Sequence, residues 1–413
     1  MKNKREVAII GGGITGCVAA LYAAKKGHKV ILLEKSNSLG GILRDAKNKN
    51  NIYFNACQYL SSNETWYKSL IKNNFDIDNF SHDKATYTKI FDEENFEKDI
   101  AGPVINQKLE LEIKKNFKKN NKSLLDRLQL YPNSISINLK RWLENIGLKA
   151  ENLSWDSGNG LAIGRIFPRK NLDLIKKNKK KSKLYDELVG LSRNEINYSD
   201  LHAALPKYGY NYFFSEFYKK LIESDVIVHL STPVKTIWKS SQVNIRYNNK
   251  EILPHKVIWT GNPTGLVKSF GLPLLESQHV KAKHFFYEFK GNLKNNIYIQ
   301  NYSFSNLILR IFFYKLNKRN KITIETLSDK ISSSDINKSL KFFIKKLNYN
   351  FDLKSNEFTE IQKKYIIISK KDNKILKTFI DRTKKTNLIH GNWLEYGRDN
   401  KINYVLKKID EIK

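Results

Sequence analysis

The residues with the clearest chemical potential stand near the N-terminus, in the spacing Gly11-x-Gly13-x-x-Gly16. Glycines at these intervals allow a tight turn, a close approach of the backbone to a pyrophosphate, and close packing of a helix on a strand. Glu34 follows further along, where a carboxylate can accept hydrogen bonds from both hydroxyls of an adenosine ribose and would repel a 2′-phosphate. The pattern predicts a site for an adenine dinucleotide that lacks a 2′-phosphate.

The surrounding segments are the elements that such a site requires. Residues 7–10 and 29–34 are short apolar runs typical of buried parallel strands, and residues 17–26 are alanine-rich and favour a helix. The first turn of that helix would include Ile14 and Thr15, with backbone N–H groups directed at the phosphates. A strand, glycine turn, helix and second strand are predicted, rather than a secretory signal or a membrane span.

The charge of the chain, formally +32 over 413 residues, is its most unusual bulk property. Lysine accounts for 61 of the 73 basic residues and is spread through the whole sequence, which favours a compositional bias over a nucleic-acid footprint. We therefore expect no specific nucleic-acid partner, and a small-molecule substrate that the surplus charge would suit if it is anionic. Two cysteines and no metal-ligand cluster suit a cytoplasmic protein, with peripheral contact at the inner membrane surface left open.

The segment after Glu34 separates the possible dinucleotides. Lys35, the pair Gly40-Gly41 and Arg44 resemble the second nucleotide-contacting segment of a large FAD-dependent clan. That clan includes amine oxidases, protoporphyrinogen oxidase, phytoene desaturases and UDP-galactopyranose mutase. The resemblance implies FAD as cofactor, with the paired glycines passing close to its ribityl-pyrophosphate and Arg44 balancing its charge.

The same resemblance extends to residues 51–60, which would run beside the isoalloxazine ring. Here Cys57 and Gln58 stand where the clan usually has glycine and histidine. Gln58 can hydrogen-bond a carbonyl but does not change charge near neutral pH, so a histidine-based acid/base role does not transfer to this position. Gln58 is a candidate catalytic residue on position alone, and Cys57 is expected to be a buried small side chain.

Two further segments resemble parts of the clan's nucleotide domain. Val234 matches a valine whose backbone contacts adenine. Near the C-terminus a strand ends in a glycine turn and is followed by a helix predicted over 400–412. The resemblance implies that this turn and helix close over the pyrophosphate, through Gly391, Asn392, Trp393 and Asn403. Glu395 is the expected substitute for an acid that the clan often carries nearby.

The sequence gives less specific evidence about the residues that would contact a substrate. Residues 298–301, 306–314 and 321–325 alternate as strands of an antiparallel sheet. In mutase-like relatives such a sheet forms a wall of the substrate cavity, so Arg310 and Tyr314 are candidate catalytic or substrate-contacting residues, with a surface role as the alternative. The lysine run at 176–183 is expected to be a solvated loop, and an anionic surface patch is the other interpretation.

These observations predict an α/β protein: a discontinuous Rossmann-type FAD-binding domain with an inserted α+β substrate domain. The FAD-binding domain is assigned to 1–80, 206–270 and 375–413, and the substrate or lid region to 81–205 and 271–374. The leading functional hypothesis is an FAD-dependent oxidoreductase that transfers a hydride from a small molecule to flavin. The alternatives are a mutase-like non-redox flavoenzyme acting on a nucleotide sugar in surface-polysaccharide synthesis, and a flavoprotein without catalysis that serves as a binding partner.

Overall fold

The computed structural model describes most of the chain, and everything below concerns those residues: 5–49, 51–55, 58–81, 83–90, 93–98, 104–105, 123–160, 167–168, 172–189, 202–239, 241–276, 278–302, 308–354, 358–395 and 397–412. Cys57 lies outside them.

The helices of this part of the chain are numbered here in order: α1 (Ile14–Lys25), α2 (Thr65–Leu70), α3 (Leu124–Leu128), α4 (Asn133–Asn145), α5 (Ser157–Gly160), α6 (Leu172–Lys181), α7 (Lys183–Leu188), α8 (Tyr210–Glu223), α9 (Thr264–Ser269), α10 (Ser333–Lys346), α11 (Lys370–Thr383) and α12 (Arg398–Asp410). No helix among the described residues is both long enough and apolar enough to cross a membrane.

The strands are β1 (Glu6–Ile10), β2 (Lys29–Leu33), β3 (Asp45–Asn48), β4 (Asn51–Phe54), β5 (Leu60–Ser61), β6 (Ile77–Ser81), β7 (Asp83–Ile90), β8 (Glu93–Lys98), β9 (Val104–Ile105), β10 (Phe167–Pro168), β11 (His202–Pro206), β12 (Ile227–His229), β13 (Lys235–Lys239), β14 (Gln242–Tyr247), β15 (Lys250–Ile252), β16 (Lys256–Trp259), β17 (Gln278–Lys290), β18 (Ile297–Tyr302), β19 (Ile308–Leu316), β20 (Arg319–Thr326), β21 (Asp352–Leu353), β22 (Phe358–Ile367) and β23 (Leu388–His390).

A five-stranded parallel sheet carries the glycine-rich turn. Its order is β12-β2-β1-β16-β23, and every strand pair in it is parallel. The central strand β1 is buried at all four positions from Val7 to Ile10, as expected for a strand covered on both faces. Helix α1 packs against α8 and α12 beside this sheet. The α/β fold with a Rossmann-type sheet is therefore confirmed.

The strands of the parallel sheet come from three distant parts of the chain. All of them fall inside the segments that the sequence assigns to the FAD-binding domain, and β14 and β15 form an antiparallel hairpin after β13. The last helix begins at Arg398, two residues before the expected start.

A second sheet of eight strands lies opposite, in the order β21-β17-β20-β19-β18-β7-β8 with β22 also paired to β17. Its strands are mostly antiparallel, as expected, but β18 and β7 run parallel. One face carries apolar residues such as Ile311, Phe313 and Ile324, which form a core with Leu340 and Phe343 of α10. The opposite face of this sheet packs against other parts of the chain.

The described residues between 123 and 189 form a small, mainly helical unit with its own apolar core, which also includes Leu309 and Leu327. The expectation of a solvated loop for the lysine run was wrong, because most of it lies in α6. Lys179 in this helix is fully buried, and its ammonium donates to the Asp186 backbone carbonyl at 2.8 Å and lies 3.4 Å from the Asp186 carboxylate. The partner in the next helix is what allows this charge to be buried.

The β3–β4 hairpin joins the first seventy residues to the eight-stranded sheet. The N–H of Phe54 donates to the Tyr314 hydroxyl at 3.0 Å, and the Thr323 hydroxyl donates to the Phe54 carbonyl at 2.9 Å. Tyr314 and Thr323 also lie 3.0 Å apart, which closes a ring of hydrogen bonds. The ammonium of Lys321 donates to the Ile52 carbonyl at 2.6 Å. Backbone groups of an edge hairpin are thus satisfied by side chains of another sheet.

The hairpin also fixes the start of α8. The buried carboxylate of Asp45 accepts hydrogen bonds from the N–H groups of Tyr210 and Asn211 at 2.8 and 2.9 Å. Gly209 precedes them with φ +92°, and a Cβ there would lie 2.5 Å from the Asp45 carboxylate. Burial raises the pKa of Asp45 to about 6, against the opposing effect of these two hydrogen bonds.

Replacement of Tyr314 by phenylalanine tests the junction between hairpin and sheet. The variant leaves the Phe54 N–H without its acceptor in a fully buried position, so we expect a loss of about 1–3 kcal/mol in the free energy of unfolding. Tyr212→Phe, at an exposed ring, should change it by less than about 0.5 kcal/mol. Chemical denaturation measures both, and equal small effects would contradict the role given to Tyr314.

Candidate functional site

The glycine-rich turn is built by close backbone packing. Gly11 has φ +105°, which favours glycine, and a Cβ on Gly16 would lie 1.8 Å from the Gly11 carbonyl oxygen. The hydroxyl of Thr260, from the loop after β16, donates to the backbone of Ile10 and Gly11 at 3.0 and 3.1 Å. Gly11 and Gly16 therefore shape the turn, and Thr260, which sequence reasoning missed, holds it from the neighbouring strand.

Gly13 has a different role. A Cβ built on it would meet nothing within 4 Å, so its side of the turn faces open space. It is the N-cap of α1, has no side-chain capping bond and is followed by no acidic residue in the first turn of the helix. The first N–H groups of a helix favour an anion, and Ile14 and Thr15 lie in this turn. Because the backbone is open and the helix end is uncapped, the turn fits a phosphate group.

Glu34 lies beside this opening at the end of β2. Its carboxylate accepts hydrogen bonds from the N–H of Gly12 at 2.5 Å and from the N–H of Ser36 at 2.8 Å. Each carboxylate oxygen of Glu34 retains lone pairs that could accept a hydrogen bond from a hydroxyl group. Gly12 is a second residue that the glycine spacing did not single out, and a Cβ there would lie 2.6 Å from Leu39 and 3.0 Å from Glu34.

The second glycine segment packs directly on the first. The N–H of Gly40 donates to the Gly12 carbonyl at 2.8 Å, and Gly13 and Gly40 form a parallel bridge. Gly40 and Gly41 have φ values of +115° and +61°, and a Cβ on Gly41 would lie 3.3 Å from the Gly13 Cα. The structure therefore brings the two predicted glycine segments together, whereas Lys35 between them is exposed.

Arg44 and Val234 are placed less directly at the turn. The guanidinium of Arg44 is more than half exposed and lies 3.5 Å from the Glu360 carboxylate of the eight-stranded sheet. Val234 is half-buried, two residues after Thr232, whose N–H donates to the Glu34 carbonyl at 2.8 Å. The segment that contains Val234 therefore runs beside the end of β2, on the side expected for the adenosine half of a dinucleotide.

The C-terminal turn reaches the same place from β23. A Cβ on Gly391 would lie 2.7 Å from the Trp259 carbonyl and 3.0 Å from the Thr260 Cα, so this glycine packs on the loop that holds the first turn. Asn392 has φ +53° and its N–H donates to Nδ1 of His390 at 3.1 Å. Trp393 is half-buried, and its ring lies 5.7 Å from that of His390. Asn403 is exposed within α12, and its amide donates to Glu64 at 2.9 Å.

The neutral form of the His390 ring is the one that hydrogen-bonds this turn. Because Nδ1 accepts the Asn392 N–H, the neutral ring carries its proton on Nε2, which lies 2.7 Å from the Tyr404 hydroxyl. Burial, with a smaller contribution from the charge of Lys408, lowers the pKa of His390 to about 4. Protonation of Nδ1 would remove the bond to the turn.

Gln58 lies where the hairpin, α8 and the eight-stranded sheet meet. Its backbone carbonyl accepts from the Tyr210 hydroxyl at 3.2 Å, and the ring of the next residue, Tyr59, makes an edge contact with Tyr298 of β18 at 6.0 Å. The side-chain oxygen of Gln58 is buried and has no hydrogen-bond partner. Gln58 is thus close to the sheet face that remains uncovered by α10.

That sheet face carries a row of polar side chains, which we call the polar band: Gln300, Arg310, Glu325, His284 and Glu360. These residues are direct cross-strand neighbours on β18, β19, β20, β17 and β22 in that order, so they share one face. The row next to it contains Tyr298, Phe312 and Thr323 and packs toward the β3–β4 hairpin. Leu309 and Leu327 lie in the core of the helical unit. The polar band therefore lies between two apolar cores.

Close contacts between charged or polar side chains connect most of the band. Arg310 lies 3.9 Å from Glu325, and Glu325 lies 3.7 Å from His284. Glu360 receives a hydrogen bond from Asn55 at 3.2 Å and lies beside Arg44. Of the substrate-side candidates, Arg310 belongs to this band, whereas Tyr314 lies in the fully buried junction with the hairpin. The rest of the band was missed because its members come from distant strands whose pairing the sequence does not specify.

The described residues contain no group of His, Cys, Asp and Glu side chains arranged to hold a metal ion. The candidate site therefore consists of the glycine turns with Glu34, and the polar band that faces the hairpin leading from them.

Sequence comparison supports the first of these features. Residues 9–70 match the family described as the NAD(P)-binding Rossmann-like domain. Over 44 residues, 11% of this chain, the sequence is 51% identical to a bilirubin reductase of Mediterraneibacter gnavus. Over 42 residues, 10% of this chain, it is 43% identical to a 4,4′-diapophytoene desaturase of Staphylococcus aureus. These matches cover 7% and 8% of the lengths of those two proteins.

Comparison with solved structures covers the whole chain. Reduced UDP-galactopyranose mutase superposes with a TM-score of 0.67 at 12% identity, covering 99% of this chain and 95% of the mutase. A redesigned putrescine oxidase superposes with a TM-score of 0.60 at 12% identity, covering 99% of both chains. The protein therefore has the fold of these proteins, and its residues 9–70 are similar to the NAD(P)-binding Rossmann-like domain.

Two alanine substitutions separate cofactor binding from folding. At Gly13 a Cβ meets open space, so Gly13→Ala should cost about 1 kcal/mol or less in stability yet reduce flavin retention at least tenfold. At Gly16 the Cβ would overlap the Gly11 carbonyl, so Gly16→Ala should lower the free energy of unfolding by about 1–3 kcal/mol or more. Circular dichroism and the flavin released on denaturation measure the two effects. Full flavin retention in folded Gly13→Ala would contradict the assignment.

The low pKa of His390 predicts a pH dependence of stability. In the unfolded chain a histidine takes up its proton near pH 6.5, whereas the folded protein holds His390 neutral down to about pH 4. The free energy of unfolding should therefore fall as the pH drops from 6.5 to 4, by at most about 1.4 kcal/mol per pH unit from this group. His390→Gln should flatten that slope, and identical slopes in both proteins would exclude the histidine as its source.

Proposed function

We propose that this protein is an FAD-dependent oxidoreductase that accepts a hydride from a small-molecule substrate. The observation that carries the proposal is the open, uncapped turn at Gly13, which lies beside the carboxylate of Glu34 and packs backbone to backbone on Gly40. This arrangement supports an anion site at the start of α1 and a ribose acceptor at Glu34, as a dinucleotide would use them. FAD, when bound, supplies the two-electron chemistry.

Different segments of the chain would bind the different parts of the cofactor. The start of α1 and the glycine segments would bind the pyrophosphate through backbone N–H groups, and Glu34 would bind the adenosine ribose. Residues 58–60 and the polar band would lie on the ring side, where they orient the substrate and exclude water. No acid or base is assigned at Gln58, since an amide does not titrate in this range.

The same proposal includes the class of substrate, FAD as the particular flavin, and the partners of the protein. The curated relatives match over about a tenth of this chain, so the names of those proteins support an oxidoreductase only in general terms. We propose a cytoplasmic enzyme with a small-molecule substrate and without a specific nucleic-acid partner, with contact at the inner membrane surface as an optional feature.

One observation favours a second candidate, a mutase-like flavoenzyme without net redox change. The superposition on UDP-galactopyranose mutase covers nearly the full length of both chains, and the polar band offers charged and amide groups to a polar substrate. Against an anionic diphosphate, Arg310 lies 3.9 Å from the fully buried Glu325, which offsets its charge.

Flavin content is the first test. The purified protein should be yellow and release FAD on denaturation, in a ratio near one per chain, and Gly13→Ala serves as the matched control that folds without it. A wild-type protein that holds no flavin would contradict the proposal, and so would equal binding of added FAD by wild type and Gly13→Ala.

Anaerobic mixing separates the two candidates. Putrescine is the probe for net oxidation, which bleaches the flavin absorbance. UDP-galactopyranose with dithionite-reduced protein is the probe for isomerisation, which changes the sugar and leaves the flavin reduced. We expect bleaching, whereas sugar isomerisation without bleaching would replace the first candidate by the second.

A further inference from the structure

One residue of the polar band is unusual even within it. Gln300, in β18, has no exposed surface, and neither its side-chain oxygen nor its side-chain nitrogen has a hydrogen-bond partner. Buried amides are rarely left in this condition, because both atoms lose their hydrogen bonds to water. Gln300 therefore needs a physical explanation that the fold itself does not provide.

The direction of the side chain is fixed by the sheet. Gln300 pairs with Arg310 across β18 and β19, so both side chains lie on the face that carries the polar band. Its neighbours in the strand, Ile299 and Asn301, point to the opposite face, where Ile299 joins the core under α10. Two positions before it, Tyr298 contacts Tyr59, which follows Gln58. Gln300 therefore lies on the same sheet face as Tyr298, near the segment that contains Gln58 and Tyr59.

The neighbouring charges are already matched. Arg310 is offset by Glu325, and Glu360 is offset by Arg44 and bonded to Asn55. These two pairs therefore contribute little net charge, and the carboxamide of Gln300 is a buried, unpaired group of the band. A carboxamide offers one acceptor and one donor side by side, so it is matched by a group with an adjacent donor and acceptor.

We infer that Gln300 is a specificity-determining residue, which binds a neutral substrate group that donates and accepts hydrogen bonds at adjacent atoms, such as an amide or a pair of hydroxyls. The inference rests on the proposed function. A hydrocarbon substrate would leave the carboxamide unpaired and is disfavoured for that reason, as sites with buried polar groups reject analogues that lack the matching atoms.

Thermal unfolding of the flavin-loaded protein tests whether the unpaired carboxamide of Gln300 lowers its stability. Gln300→Leu removes two unsatisfied atoms at similar volume and should raise the Tm by about 1–3 °C. Gln300→Met provides the same test with an unbranched side chain, in case the leucine shape fits poorly. The matched control is Gln242→Leu, because the Gln242 side chain accepts the Asn387 N–H at 3.1 Å, and its loss should lower the Tm.

A small probe tests the ligand chemistry. Acetamide carries an adjacent donor and acceptor, whereas N,N-dimethylacetamide only accepts. With increasing acetamide the Tm advantage of Gln300→Leu over wild type should shrink, and with N,N-dimethylacetamide at equal molarity it should persist. If both Gln300 variants unfold at a lower Tm than wild type, or if the two amides act alike, the inference is overturned.

These outcomes are separable from those for the proposed function. Flavin content is measured on the same samples and should be equal in wild type and in both Gln300 variants. Absence of flavin from the wild-type protein contradicts the proposed function, whereas a lowered Tm of both variants with normal flavin contradicts only the assignment of Gln300.

Discussion

The contact between Gly16 and the Gly11 carbonyl is the constraint on which the candidate site depends. Without a side chain at Gly16, α1 starts close enough to β1 for the uncapped helix end to face the opening at Gly13. The second glycine segment and the Gly391 turn then pack on backbone, so three separate parts of the chain meet with almost no side chain between them. Close backbone packing leaves N–H groups and helix termini as the main binding groups, which is the arrangement suited to phosphate.

The β3–β4 hairpin transmits that geometry to the substrate side. It begins after the second glycine segment, caps α8 through Asp45 and ends in the hydrogen-bonded ring with Tyr314 and Thr323. The polar band is the adjacent row on the same sheet face, so its distance from the glycine turns is set by one short hairpin. Tyr314, a substrate-side candidate from the sequence, hydrogen-bonds the hairpin in this junction, and Phe312 lies in the row beside the polar band.

The sequence predicted the elements that local pattern controls. The glycine spacing, the apolar strands on either side of it and Glu34 follow from neighbouring residues, and so do the paired glycines at 40 and 41. The polar band could not be predicted, because His284 and Glu360 become neighbours only through the pairing of β17 with β22 and β20. The lysine run was misjudged for the same reason: the carboxylate that allows Lys179 to be buried lies in the following helix. Thr260 and Gly12 belong to no sequence motif that would have identified them.

The strand order of the parallel sheet has a consequence for biosynthesis. The turn at Gly391 rests on the loop after β16, and β23 is the edge strand beside it, so the nucleotide cradle is incomplete until residues 388–391 have left the ribosome. Pairing between strands so distant in sequence is slow, and the N-terminal strands must wait for partners made hundreds of residues later. During synthesis the second partner of β1 is therefore absent until β16, residues 256–259, has been made.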